Sequence, residues 1–90
     1  MIYKIFETDN FIEEINDLSL NYKNIQEKIK EYVYPQLKNN PYFGKNIKKL
    51  KGYKPDTWRY RIGEIRLFYE ITDKDIIVLL ISATQRKDSY

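Results

Sequence analysis

The chain has no cysteine and no histidine. These two absences exclude disulfide staples, thiol nucleophiles, imidazole acid–base chemistry and zinc sites built from those ligands. With three glycines and three prolines, it carries no repeat, linker or low-complexity segment. It also lacks a long apolar run. The opening "MIYKIF" is apolar for only a few residues before Glu7 and Asp9, and reads as a strand, not as a signal peptide or membrane span. A cysteine-free chain fits a reducing compartment, so a cytoplasmic location with no membrane association is expected. Ninety residues predict a single domain over 1–90, just above the size at which one apolar core needs staples or a metal.

Arginine is scarce as well. There are four arginines against twelve lysines, yet three of the four stand within eight residues, in the stretch "WRYRIGEIRLFYEI" from Trp58 to Ile71. Charge is uneven too. Residues 1–44 carry five lysines against seven acidic residues, whereas residues 45–90 carry eleven basic against six acidic ones. A basic half of this kind favours a polyanionic partner, either nucleic acid or an acidic protein.

The periodicities predict an α+β architecture. Residues 2–6 alternate as a first strand. Thr8 or Asp9 can cap a helix with Phe11, Ile12, Ile15 and Leu18 on its apolar face. After a break near Ser19–Asn21, a second helix is expected with Tyr22, Ile25, Ile29, Tyr32 or Val33, and Leu37 on one face. Pro35 should bend or loosen its last turns, because it removes a backbone donor, and Asn39-Asn40-Pro41 should stop it. The remainder reads as sheet. A short strand is expected at Ile47–Lys51, then a hairpin over Thr57–Ile71 with a type II′ turn at Gly63-Glu64, and a further turn at Asp73-Lys74-Asp75. The final run "IIVLLISA", residues 76–83, is apolar on both faces and predicts a strand covered on both sides.

The hairpin sorts its side chains. With Gly63-Glu64 as the turn, Arg61 opposes Arg66 and Arg59 opposes Phe68. Trp58, Tyr60, Ile62, Ile65, Leu67, Tyr69 and Ile71 then share the face that packs on the helices, and Arg59, Arg61, Arg66, Phe68 and Glu70 share the other. Like charges directly opposed across a strand pair are unfavourable by a few tenths to about 1 kcal/mol. An anion would complete the cluster, and guanidinium forks match phosphate oxygens better than ammonium groups do. An ordinary solvated face is the competing reading. Beyond the last strand, "QRKDSY" adds Arg86 and Tyr90. A tyrosine there could stack on a base or donate a proton.

These residues together resemble the RelE/ParE superfamily of type II toxins over nearly the whole chain. The likeness is strongest in "LKGYKPDTWRYRIGEIRLFYEITDKDIIVLLISATQRKDSY", which is similar to the family's succession of Leu-x-Gly, basic-x-basic strand, glycine turn, arginine strand, apolar strand and closing "R…Y". Its features are nearest to the RelE branch of messenger-RNA-cutting toxins. The resemblance implies a small RelE-like fold: an N-terminal strand, a two-helix hairpin and a mostly antiparallel sheet of four to five strands. It also implies a metal-independent, cofactor-free endoribonuclease acting on mRNA in the ribosomal A site and inhibited by an acidic cognate antitoxin. The implied catalytic residues are Arg61, Arg66, Arg86 and Tyr90, with Arg59, Lys51, Lys54 and Lys87 contacting RNA and Glu70 as the candidate base. Gln85 stands where many relatives carry histidine. Two other readings accompany this one: a ParE-like poison of DNA gyrase, or a catalytically weak homologue acting by binding its antitoxin.

Overall fold

The computed structural model describes residues 2–85. The chain runs as strand β1 (Lys4–Glu7), helix α1 (Asp9–Ser19), helix α2 (Ile25–Lys28), a π-helical turn (Ile29–Val33), helix α3 (Tyr34–Asn39), then strands β2 (Ile47–Lys49), β3 (Trp58–Ile62), β4 (Ile65–Thr72) and β5 (Ile77–Gln85). The five strands form one sheet in the order β1-β5-β4-β3-β2. Only β1 and β5 are parallel; the other three pairings are antiparallel. The expected α+β fold with a mostly antiparallel sheet is therefore present.

The helices pack on one face of the sheet. Phe11 and Ile15 of α1, Ile25, Ile29, Val33 and Leu37 of the second helical segment, and Tyr60, Ile65, Leu67, Tyr69, Val78, Leu80 and Ala83 of the strands form one buried cluster. Trp58, Ile62 and Ile71 are half-buried against it. The alternation read from the hairpin thus selects the core face as expected.

Thr8 caps α1, its Oγ1 accepting the Phe11 amide at 3.1 Å. The same hydroxyl donates to the Leu80 carbonyl at 3.0 Å, so one residue both starts the helix and ties it to the sheet. Thr8→Ala should lower stability by about 1–2 kcal/mol, the upper part of the range for a lost N-cap. Urea titration would show this as a lower midpoint with an unchanged slope. A shift under about 0.3 kcal/mol would mean that water replaces both contacts.

The second helix starts at Ile25, later than the apolar pattern suggested, because residues 21–24 are spent turning the chain. Its loosening falls just ahead of Pro35. A proline ring lacks an N–H and crowds the carbonyl four residues earlier, here Glu31. The π-helical turn over Ile29–Val33 contains that carbonyl, and its wider coil relieves the crowding without ending the helix. Pro35 then stands in the first turn of α3, directly after the π-helical turn.

Three strand expectations need correction. The first strand is Lys4–Glu7, not 2–6, since the Tyr3 amide is drawn to the Lys38 carbonyl at 2.9 Å. The β4–β5 turn extends to Ile76, whose φ is +56°, a conformation costing a β-branched residue roughly 1–2 kcal/mol. It is held there by bonds on both sides: its amide reaches the Asp73 carbonyl at 3.2 Å and its carbonyl accepts from Lys4 at 2.8 Å. Lastly, among the described residues β5 is covered on one face only. Val78, Leu80 and Ala83 are buried, but Leu79 and Ile81 are half-buried on the outer face, where no described helix lies.

The short β1 leaves the end of β5 without a strand partner on that side, and α1 closes the gap. A bulge between the Phe68–Ser82 and Tyr69–Leu80 pairs sets Ile81 outside the ladder. Asn10 Nδ2 donates to the Ile81 carbonyl at 2.9 Å, and Glu14 Oε1 accepts from the Ala83 amide at 3.1 Å.

Candidate functional site

The outer face of the sheet is built mainly by the β3–β4 hairpin. Gly63 has φ +57° while Glu64 keeps a negative φ, the combination of the expected type II′ turn. A two-residue turn leaves no freedom of register. Arg61 pairs with Arg66 and Arg59 with Phe68. Directly opposed residues have Cβ atoms about 5 Å apart and diagonal ones about 7–8 Å, so the three guanidinium groups share one patch.

Among the described residues no carboxylate lies within salt-bridge distance of that patch. Among the described residues the one ion pair is Lys49–Asp56, at 3.2 Å and exposed. Arg61 is exposed, whereas Arg59 and Arg66 are half-buried. The Nε atoms of Arg59 and Arg66 are both buried, and neither has a hydrogen-bond partner among the described residues. Burial, followed by the nearby positive charges of Arg66 and Arg61, lowers the Arg59 pKa from its usual value. Arginine stays protonated even so, and the result is concentrated positive charge. Such an arrangement suits an anion with several oxygens.

Glu70 lies on the same face, but four residues along β4 from Arg66, roughly 13 Å at the strand rise. It sits diagonal to Arg59. Lys51 and Lys54 are exposed in the loop between β2 and β3, at the end of β3 far from the Gly63 turn. Lys48 is closer. It pairs with Arg59 and extends the basic face by one strand. Sequence reasoning missed Lys48 because the register of β2 depends on a loop with no turn signature; the alternation of Ile47, Lys48 and Lys49 was the available signal. Ser82 and Thr84 of β5 join the face as partners of Phe68 and Arg66. The bulge at Ile81 shifts their alternation, which hid them. Arg86, Lys87 and Tyr90 lie outside the described residues.

The opposite end of the sheet carries a polar–aromatic clasp unrelated to the arginines. Tyr3 and Tyr42 both donate their hydroxyls to Asp73 Oδ1. Tyr42 packs edge-on against Trp58, with ring centres 5.3 Å apart. Burial, reinforced by the hydrogen bond to Asp73, raises the pKa of both hydroxyls. Tyr69, at the centre of the sheet, donates to the Pro41 carbonyl at 2.6 Å. These bonds pin the 40–43 loop against the sheet.

Among the described residues no group of acidic side chains could hold a metal ion, and no helix is long and apolar enough to cross a membrane.

Solved structures share this fold. The RelBE2 toxin–antitoxin complex of Mycobacterium tuberculosis superposes with a TM-score of 0.76 at 22% identity, covering 96% of this chain and 100% of that one. A free arginine-to-alanine variant of Escherichia coli toxin RelE gives 0.76 at 23% identity over 99% and 88%. The RelE–RelB complex of Pyrococcus horikoshii gives 0.70 at 21% identity over 96% and 97%. No curated protein sequence matches the chain. The family model for the ParE toxin of type II toxin–antitoxin systems matches residues 5–88, nearly the whole chain, and with the RelE-like sheet beneath it this makes the protein a member of the RelE/ParE family of type II toxins.

Proposed function

We propose that this toxin is a metal-independent endoribonuclease that cuts messenger RNA in the ribosomal A site and so inhibits translation. The observation that carries the reading is the arginine patch, with its buried, unpartnered Nε donors and no neutralising carboxylate among the described residues. In the reaction the ribose 2′-hydroxyl loses its proton and attacks the adjacent phosphorus. The 5′-oxygen leaves with a proton, and a 2′,3′-cyclic phosphate remains. Negative charge gathers on the non-bridging oxygens in the transition state, where fixed guanidinium donors stabilise it most. Arg61 and Arg66 take that role, and Arg86 is proposed to share it, while Arg59 and Lys48 hold the flanking backbone. Glu70 and Tyr90 are the candidate proton carriers. An acidic antitoxin that covers the arginine face would inhibit by supplying carboxylates where phosphate binds. The complexes formed by the M. tuberculosis and P. horikoshii neighbours support such a partner.

The sequence left a second reading open, a gyrase poison on the same fold. One paired experiment separates the two. Primer extension on translated mRNA after induction should show new 5′ ends within codons, and a gyrase supercoiling assay with purified protein should show no inhibition. Intact mRNA with blocked supercoiling would select the gyrase reading. Neither effect would leave a module whose role is to bind its antitoxin.

A further inference from the structure

One outer-face residue does not fit a purely electrostatic site. The other aromatic residues of the hairpin, Trp58, Tyr60 and Tyr69, all turn toward the helices. Phe68 alone turns outward, at the middle of the basic face. It is opposed by Arg59 on β3 and by Ser82 on β5, and it lies two residues from Arg66 on its own strand. Ordinary surface chemistry would place threonine or a charge there. Phe68 is only half-buried, and no described helix covers it.

We propose that Phe68 is a stacking platform for the nucleobase that flanks the phosphate held by the arginines. The inference rests on the ribonuclease reading and names a contact which that reading leaves open. A single-stranded nucleotide offers a flat ring and phosphate oxygens one sugar apart. Phe68 and its neighbours present a flat ring rimmed by guanidinium groups, with the diagonal separations of a strand pair, about 7–8 Å. Nearness of those groups follows from the register, which sets Arg59 opposite Phe68 and Arg61 opposite Arg66. An apolar side chain from a protein partner would match the ring but leave the guanidinium charge around it uncompensated. A nucleotide answers both. The bulge at Ile81 contributes by leaving the hydroxyl-bearing Ser82 beside the ring. Because a phenyl ring forms no hydrogen bonds with base edges, the contact should accept any base and favour unstacked, single-stranded RNA over duplex.

The test uses the full chain and two probes: a short RNA tetranucleotide blocked at its 2′-hydroxyls, and inorganic pyrophosphate, which has no base. Phe68→Leu should weaken the tetranucleotide by about tenfold, the scale of one lost stacking contact, with pyrophosphate affinity unchanged. On cleavable RNA it should raise KM more than it lowers kcat. Phe68→Trp should retain tetranucleotide affinity, and its added fluorescence should be quenched by the tetranucleotide but not by pyrophosphate. Equal loss of both probes in Phe68→Leu would mean a structural role and overturn the proposal. Wild-type affinity for the tetranucleotide in Phe68→Leu would overturn it as well, including where only antitoxin binding suffers. Those results leave the arginine site standing. If Arg66→Ala fails to weaken either probe, the phosphate reading falls, and this inference falls with it.

Discussion

Arg61→Ala and Arg66→Ala should each reduce mRNA cleavage by roughly 10²–10³-fold, the loss measured when one oxyanion-type donor is removed from an active site. Neither variant should lose stability. The two side chains face each other directly across β3 and β4, and like charges in that position are unfavourable by a few tenths to about 1 kcal/mol. Removing one relieves the other, so Tm should stay level or rise slightly. Lysine at either position should restore only part of the activity, because the charge returns without the two-pronged fork. A solvated face predicts the opposite signs: full toxicity on induction together with small losses of stability. Growth arrest in cells and thermal melts of the same variants read out both quantities. Full toxicity in both alanine variants would remove the arginines from the chemistry.

The largest stability effect is expected on the other side of the same strand. Leu67 has no exposed surface and pairs with Tyr60 on one side and Ala83 on the other. Leu67→Ala would leave a cavity at the centre of the sheet that the paired strands cannot close. Deletions of this kind cost about 2–5 kcal/mol. In a domain of this size each kcal/mol moves Tm by roughly 4–8 °C, so a fall of at least about 10 °C is expected. Calorimetry would measure it. A drop under about 3 °C would show that the helices relax into the space, and that the core is less closely packed than its burial implies. Arg66 and Leu67 are adjacent in sequence and opposite in facing, so one carries activity and the other stability.

That contrast was legible in the sequence. Alternation along Trp58–Ile71 and a glycine at the turn are local signals, and a two-residue turn leaves one register available. The pairing of Arg61 with Arg66, the outward placement of Phe68 and the burial of Tyr60, Leu67 and Tyr69 followed from those signals alone. The cap was narrowed to Thr8 or Asp9, and the disturbance caused by Pro35 was legible as well, although its form as a π-helical turn depends on how the helix packs on the sheet. The union of Lys48 with Arg59 was not legible, because β2 reaches β3 across a loop that carries no register information. Nor was the parallel pairing of β1 with β5, which joins residues more than seventy positions apart. The apolar run in β5 predicted cover on both sides, yet the helices occupy one face and leave Leu79, Ile81 and Phe68 toward the other. Sequence determined which residues share a face, since strand periodicity acts over neighbouring residues. Tertiary structure decided which face stays open and which distant side chains meet there, since strand order and helix placement are settled by burial of the core as a whole.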